Sequence, residues 1–218
     1  MPNVSFEVML SRVLVLAVLL LVAFPIHEFA HALAAYRLGD STARLFGRLT
    51  LNPLAHFDPA GGLMLTISVL LVGFGFGWAK PTPVNPRNLE GGRWGEAIVA
   101  AAGPISNLIL AIVAAIPLRF VYATNMDIGF VELVLQLFIV INLALMLFNL
   151  LPIPPLDGSA VLFAFLPPQT AWTVRPLLAQ YGVLILILLI FPIFGGRSLL
   201  STAYDIILFP LYGLLVGV

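Results

Sequence analysis

Two histidines and a glutamate stand together near the start of the chain, in the run His27-Glu28-Phe29-Ala30-His31. Residues four apart lie on one face of an α-helix, so both imidazoles can reach the same metal ion. Glu28 lies beside them, where a carboxylate can take a proton from a metal-bound water. The spacing therefore predicts a helical zinc site that activates water.

A catalytic zinc site usually has three protein ligands and one open position, so a third ligand must lie elsewhere in the chain. Cysteine is absent, which leaves histidine, aspartate or glutamate. The favoured candidate is Asp157, which ends the proline-rich run Asn149-Leu-Leu-Pro-Ile-Pro-Pro-Leu-Asp157-Gly158, although an aspartate before glycine can also simply form a turn. Most other candidates fall in loops or at helix ends, where a solvated charge is the simpler interpretation: His56, Glu7, Asp40, Asp58, Glu90, Glu96, Asp127, Glu132 and Asp205.

The elements that position these residues are membrane helices. Hydrophobic residues make up 61% of the 218 residues and charged residues only 9%, which is the composition of a membrane protein. Long apolar blocks, most of which reach the roughly 20 residues of a membrane span once their flanks are counted, occupy 13–26, 98–118, 131–151, 181–194 and 199–218. The composition predicts an all-α polytopic membrane protein with about five to six membrane segments.

The first helix should run from about 6 to 38, and it is interpreted as a retained helix because no basic region precedes it as in a signal peptide. Further helices are expected at about 94–119 and 131–151, with prolines ending the latter, followed by a helical pair at about 177–218. The whole chain, 1–218, is expected to be one membrane-embedded domain with its catalytic core at about 6–165.

The segment 63–78 needs a special path through the membrane. The histidines lie toward the end of the first helix and Asp157 lies just past the end of the 131–151 helix, so both ends must share one depth and side. That requires an odd number of crossings between them, which favours a re-entrant 63–78 over a full span. Alternating glycine and aromatic residues at 73–78 favour extended chain there. A full span stays the alternative, and it would weigh against Asp157 as a ligand.

Three motifs together resemble the site-2 protease family of intramembrane zinc metalloproteases. They are HEFAH in one helix, Gly103-Pro-Ile-Ser-Asn107 in another and the run from Asn149 to Gly158 after a third, within about 24–165. The resemblance implies one zinc ion per chain held by His27, His31 and Asp157, with Glu28 as catalytic base. It also implies that Asn149 helps to hold the substrate and polarise its carbonyl, and that a region after the first motif pairs with unwound substrate.

The chain is similar to a compact form of that family, because no PDZ or CBS module accompanies the motifs. The implied substrate is a transmembrane segment of another protein within the bilayer, and the balance of ten basic and ten acidic residues gives no indication of nucleic acid. Basic residues concentrate between the first helix and the helix near 94, at positions 37, 44, 48, 80, 87 and 93. The positive-inside rule then predicts a cell-membrane protein whose active site faces the cytoplasm and whose N-terminus lies outside.

Several features of the sequence allow more than one interpretation. The Gly103–Asn107 motif fits close helix packing better than a direct part in the site, His56 fits a loop histidine, and Asp205 fits either a pair with Arg197 or a cavity. Two other functions compete with the intramembrane protease. One is a membrane metalloprotease that uses a downstream glutamate, Glu96 or Glu132, as third ligand. The other is a membrane protein that binds or transports zinc without cutting peptides.

Overall fold

The computed structural model describes residues 6–72, 75–191 and 196–217, and these residues are mainly helical. No β-strand occurs among them. The α-helices, in chain order, are α1 Phe6–Val18, α2 Phe24–Arg37, α3 Thr42–Leu45, α4 Pro53–His56, α5 Pro59–Val72, α6 Arg93–Thr124, α7 Phe130–Asn149, α8 Asp157–Phe165, α9 Pro168–Ile190, α10 Leu199–Ala203 and α11 Phe209–Val216.

Five helical stretches of the described chain are long and apolar enough to cross a membrane. They are Phe6–Arg37, Arg93–Thr124, Phe130–Asn149, Pro168–Ile190 and Leu199–Val216. The predicted all-α polytopic architecture is thereby confirmed. The sequence placed the later helices less well, since α6 continues to Thr124, α9 begins at Pro168 rather than near 177, and α8 had not been expected.

The first and last of these spans each contain a π-helical turn directly before a Phe-Pro pair. Leu19–Ala23 joins α1 to α2 ahead of Phe24-Pro25, and Tyr204–Leu208 joins α10 to α11 ahead of Phe209-Pro210. In both, the phenylalanine N–H bonds to the carbonyl five residues back. Proline lacks an N–H and crowds the preceding turn, and the wider π-turn lets the helix continue through it. The helix bearing both histidines thus stays continuous.

The segment 63–78, predicted to be re-entrant, begins and ends close to the same point of the structure. Helix α5 has 14 residues, about 21 Å of length, which falls short of the roughly 30 Å hydrocarbon layer. The chain then returns beside α5 without helical structure, and the Lys80 N–H donates to the His56 carbonyl oxygen at 2.8 Å. The re-entrant, partly extended segment is therefore confirmed for the described residues, while 73–74 lie outside them.

Glycines let the two arms of this hairpin approach each other. A Cβ built on Gly61 would lie 2.1 Å from the Trp78 carbonyl oxygen, and one on Gly77 would lie 2.6 Å from the Gly61 carbonyl oxygen. Further along, the Phe76 N–H donates to Ser68 Oγ at 2.8 Å. This bond satisfies a backbone donor that lipid could not satisfy.

Helix α6 is the central element of the bundle. Half of the residues in its most apolar stretch are buried, whereas 22% or less are buried in the corresponding stretches of the other four spans. Its buried face consists largely of small residues, which allow α2, α7 and α8 to pack closely against it. The predicted site residues lie in these three neighbouring helices, so the candidate site lies against α6.

Candidate metal centre

Three potential metal ligands converge where α2 and the start of α8 meet against α6. The Nε2 atoms of His27 and His31 lie 3.0 Å apart. Asp157 Oδ2 lies 3.2 Å from Nε2 of His27 and 3.4 Å from Nε2 of His31. Within the described residues these three side chains form the group able to hold a metal ion. Both histidines are buried.

The hydrogen bonds of the two imidazoles determine which nitrogen faces this centre. His31 Nδ1 lies 2.7 Å from the Val99 carbonyl oxygen, which can only accept, so this nitrogen carries the proton. His27 Nδ1 lies 2.6 Å from Asn107 Oδ1. With Nδ1 protonated on both rings, the neutral imidazoles direct the lone pairs of Nε2 toward Asp157.

The three converging side chains place acceptor atoms close together without a positive charge between them. Asp157 Oδ2 is buried and no hydrogen-bond donor satisfies it. Two imidazole lone pairs and a carboxylate oxygen within 3.4 Å of one another repel unless a positive charge lies between them. Two nitrogens and one oxygen are also a donor set used by catalytic zinc, with a fourth position left for water. The residues present fit a zinc ion.

Gly103 provides the room for this arrangement. A Cβ built there would lie 2.5 Å from His27 Cε1 and 2.5 Å from His31 Nε2. Both imidazoles thus pack directly on the α6 backbone at the start of the Gly103–Asn107 motif. The motif therefore serves both helix packing and the site. Gly103 leaves space for the imidazoles, and Asn107 contacts His27.

Asp157 reaches the histidines through the turn that follows α7. That helix ends at Asn149, and α8 begins at Asp157 itself. A Cβ on the next residue, Gly158, would lie 2.2 Å from the Leu150 carbonyl oxygen. Only glycine therefore lets the start of α8 fold back against the end of α7, which brings Asp157 toward α2.

Glu28 lies beside the three ligands and is held by a distant segment. Its Oε2 accepts a hydrogen bond from the Thr82 N–H at 2.8 Å, and the Thr82 hydroxyl donates to the Glu28 carbonyl oxygen at 3.0 Å. We call residues 80–86 the strap. This contact joins residues 54 positions apart, and no pattern in the sequence predicts it.

Glu28, the three ligands and the strap line one cavity of about 590 Å³. Asn149 is half-buried in its wall, and its Nδ2 donates to the Leu145 carbonyl oxygen at 3.0 Å. Asn149 thus lines the same cavity as Glu28 and the candidate ligands, and its part in catalysis stays a prediction.

The alternative candidates are not among the three side chains that converge at the centre, although Glu96 lines the same cavity. Glu132 is in the first turn of α7, at the end of the helix opposite Asn149. Glu96 pairs with Arg175 at 3.2 Å, and Asp205 pairs with Arg197 at 3.3 Å on an exposed surface. His56 is buried, with Nε2 2.8 Å from the Thr50 carbonyl oxygen. It is the last residue of α4 and is not among the three side chains that converge at the centre.

Sequence comparison agrees with this chemistry. Peptidase family M50 matches residues 14–126 and 115–191, which is most of the chain. The chain belongs to peptidase family M50. This is the site-2 protease family, so the resemblance drawn from the three motifs is confirmed, and zinc is the cofactor of its metalloproteases.

Bacterial relatives of this M50 chain carry matching names. It is 40% identical over 188 residues to "Putative zinc metalloprotease YwhC" of Bacillus subtilis, covering 83% of this chain and 81% of that protein. It is 34% identical over 170 residues to "Putative zinc metalloprotease Rip2" of Mycolicibacterium smegmatis, covering 78% and 64%. Rip2 of Mycobacterium tuberculosis is 32% identical over 177 residues, covering 81% and 66%. No solved structure gives a significant match.

Proposed function

We propose that this protein is an intramembrane zinc metalloprotease that hydrolyses peptide bonds within or near transmembrane segments of other membrane proteins. The observation that carries the proposal is the buried, unsatisfied Asp157 oxygen facing two histidine lone pairs, with Glu28 in the same cavity. His27, His31 and Asp157 are the proposed ligands. Membership of a zinc metalloprotease family and five apolar spans support it.

In the proposed mechanism, bound zinc supplies Lewis-acid activation of the attacking water and the scissile carbonyl. Glu28 accepts the proton that the water loses as its oxygen adds to the carbonyl carbon. Glu28 then delivers this proton to the amide nitrogen as the C–N bond breaks. The Thr82 N–H holds Oε2 of Glu28 and so keeps the carboxylate oriented toward the cavity during both transfers.

Asn149 is the proposed oxyanion stabiliser. Its side chain can exchange the bond to the Leu145 carbonyl for one to the oxygen on which negative charge develops. The exchange replaces a neutral acceptor by a charged one, which strengthens the bond in the transition state.

The proposed substrate is a membrane helix that unwinds locally, because backbone atoms inside a helix are inaccessible to the centre. The extended chain of residues 75–84 borders the cavity and is the proposed pairing partner for the unwound peptide. The excess of basic residues in 37–93 supports an active site toward the cytoplasm, with the N-terminus outside the cell.

The test compares zinc content and cleavage of a model transmembrane substrate for purified wild type, Glu28→Gln and Asp157→Ala in detergent. Wild type is expected to hold about one zinc and to cut. Glu28→Gln should keep zinc while cleavage falls about 10²–10⁴-fold, the usual contribution of a general base. Asp157→Ala should lose both zinc affinity and cleavage.

Two results would overturn the proposal. Unchanged zinc content in Asp157→Ala would remove Asp157 from the ligand set. If all three proteins hold zinc and none cuts any substrate, the site is structural or handles zinc as cargo, and uptake of zinc into vesicles becomes the decisive assay.

A further inference from the structure

Two buried asparagines lie behind the metal centre and take no part in the proposed mechanism. Asn107 in α6 and Asn142 in α7 have no exposed surface. Neither lines the cavity that contains the ligands. Amides inside a membrane bundle are expensive to bury unless they are hydrogen-bonded, and they commonly serve a function there.

The two amides connect His27 to the backbone of α7 through three hydrogen bonds. Asn142 Nδ2 donates to the Phe138 carbonyl oxygen at 2.9 Å. Asn142 Oδ1 accepts from Asn107 Nδ2 at 2.9 Å. Asn107 Oδ1 lies 2.6 Å from His27 Nδ1.

This series has only one consistent direction. The Phe138 carbonyl can only accept, so it fixes the NH₂ group of Asn142 toward itself and the oxygen toward Asn107. Asn107 must then present its NH₂ group to Asn142 and its oxygen to His27. His27 Nδ1 consequently carries the proton, and Nε2 is left with a lone pair for a metal.

His31 shows why a second amide is needed for His27. The partner of His31 Nδ1 is a backbone carbonyl, Val99 O, which has no alternative orientation. The partner of His27 is a side-chain amide, which could rotate by 180° and offer NH₂ instead of oxygen. Asn142 removes that freedom.

We propose that Asn107 and Asn142 form a relay that fixes the tautomer and ring orientation of His27 for metal binding. Asn142 is a positioning residue, since it acts on His27 only through Asn107. The inference rests on the proposed function, because it takes His27 as a zinc ligand. Partners of metal-bound histidines are known to tune metal affinity in this way.

The first test measures zinc affinity by competition with a chelator, independently of cleavage. Asn107→Leu and Asn142→Leu each keep the branched shape and the number of side-chain heavy atoms and remove the hydrogen bonds. Each should weaken zinc binding by about tenfold or more, the scale typical of such partners. The matched control is Ile139→Ala, a buried residue of the same helix without a polar partner, which should leave zinc affinity unchanged.

A second background separates orientation from packing. In Asn107→Asp both side-chain oxygens accept, so His27 Nδ1 has an acceptor whichever way the carboxylate turns. Adding Asn142→Leu should then cost little zinc affinity, although the same change costs about tenfold beside Asn107. An equal loss in both backgrounds would overturn the relay. Asn142→Ala serves as the second variant if leucine is not accommodated.

His27→Ala distinguishes failure of the relay from failure of the proposed function. If His27→Ala binds zinc as tightly as wild type, His27 is not a ligand and both proposals fall. If His27→Ala loses zinc while folded Asn142→Leu and Asn142→Ala bind it normally, the relay is wrong and the proposed function stands.

Discussion

At the scale of single residues, the metal centre depends on the absence of one side chain as much as on those present. Gly103 lies where any Cβ would touch both histidines. The spacing of His27, Glu28 and His31 predicted them as a site, and Asp157 was the favoured third candidate. Gly103 and Asn107 were interpreted mainly as helix packing, because their contacts with the histidines depend on α2 lying beside α6. Asn142 gives no sequence signal, since one asparagine within an apolar run has no spacing to interpret.

Gly103→Ala is expected to weaken zinc binding by about tenfold or more, because the added methyl must displace His27 or His31. Alanine favours helix formation over glycine by about 1 kcal/mol, so α6 itself should persist. Chelator competition and circular dichroism measure the two effects. Ser106→Ala, one turn away in the same motif, is the control. Unchanged zinc affinity in Gly103→Ala would mean that the imidazoles do not pack on this backbone.

At the scale of elements, the strap is held at both ends and in the middle. The Lys80 N–H bonds to the His56 carbonyl, the Thr82 N–H to Glu28, and the Asn85 N–H to Asp40 Oδ2 at 2.7 Å. Pro81 and Pro83 flank Thr82, so the one N–H available between them goes to Glu28. Helices were predictable from apolar runs, but these contacts were not, because they join residues far apart in the chain.

Thr82→Pro should lower the turnover number about tenfold or more while zinc content stays the same. The change removes the N–H that holds Glu28, and a hydrogen bond to a charged group is worth about 1.5–3 kcal/mol. Proline suits this position because a residue before proline already prefers extended backbone. Thr82→Val, which keeps the N–H and loses only the hydroxyl, is the matched control. Equal turnover in both variants would show that the N–H does not orient Glu28.

Asp40 anchors the far end of the strap and should make its stability pH-dependent. Burial raises the pKa of Asp40. The hydrogen bonds from Thr42, Asn85 and Asn88 together lower it by more than burial raises it, so the pKa lies below its usual 3.8. A depressed folded pKa stabilises the protein above the unfolded value, and this contribution is lost as the pH falls through the folded pKa.

Asp40→Asn should therefore lower the melting temperature at pH 7, where the carboxylate is ionised in both states. The difference from wild type should shrink as the pH falls below about 4, because the wild-type carboxylate becomes protonated too. Thermal unfolding in detergent at a series of pH values measures this difference. The control is Asp127→Asn, in the turn between α6 and α7. A pH-independent difference would contradict the assignment of an ionised anchor.

At the scale of the whole molecule, five spans and one re-entrant hairpin determine which connections share a side. The sequence predicted about five to six segments and favoured a re-entrant 63–78, because Asp157 and the histidines can share an ion only after an odd number of crossings. The full span stayed open, since an apolar run alone does not show whether the chain turns back. The orientation of the bundle rests on the distribution of basic residues alone. The chain lacks cysteine, so single introduced thiols can report the side of each connection.

Arg87→Cys and Asp127→Cys should label differently in intact bacterial cells. Both positions are exposed, one directly after the strap and one in the turn between α6 and α7. A membrane-impermeant maleimide should modify Asp127→Cys directly and Arg87→Cys only after permeabilisation, while wild type stays unlabelled. The reverse pattern would place the metal centre toward the outside.

The meeting of His56 and Lys80 at the base of the hairpin has a consequence for how such proteins can evolve. Because these two residues are hydrogen-bonded neighbours, everything between them is an excursion that returns to its starting point. Lengthening, shortening or deleting it leaves every downstream helix in the same direction across the bilayer. A lineage can therefore remodel this excursion, and with it the wall of the cavity, in small genetic steps that never invert the rest of the enzyme.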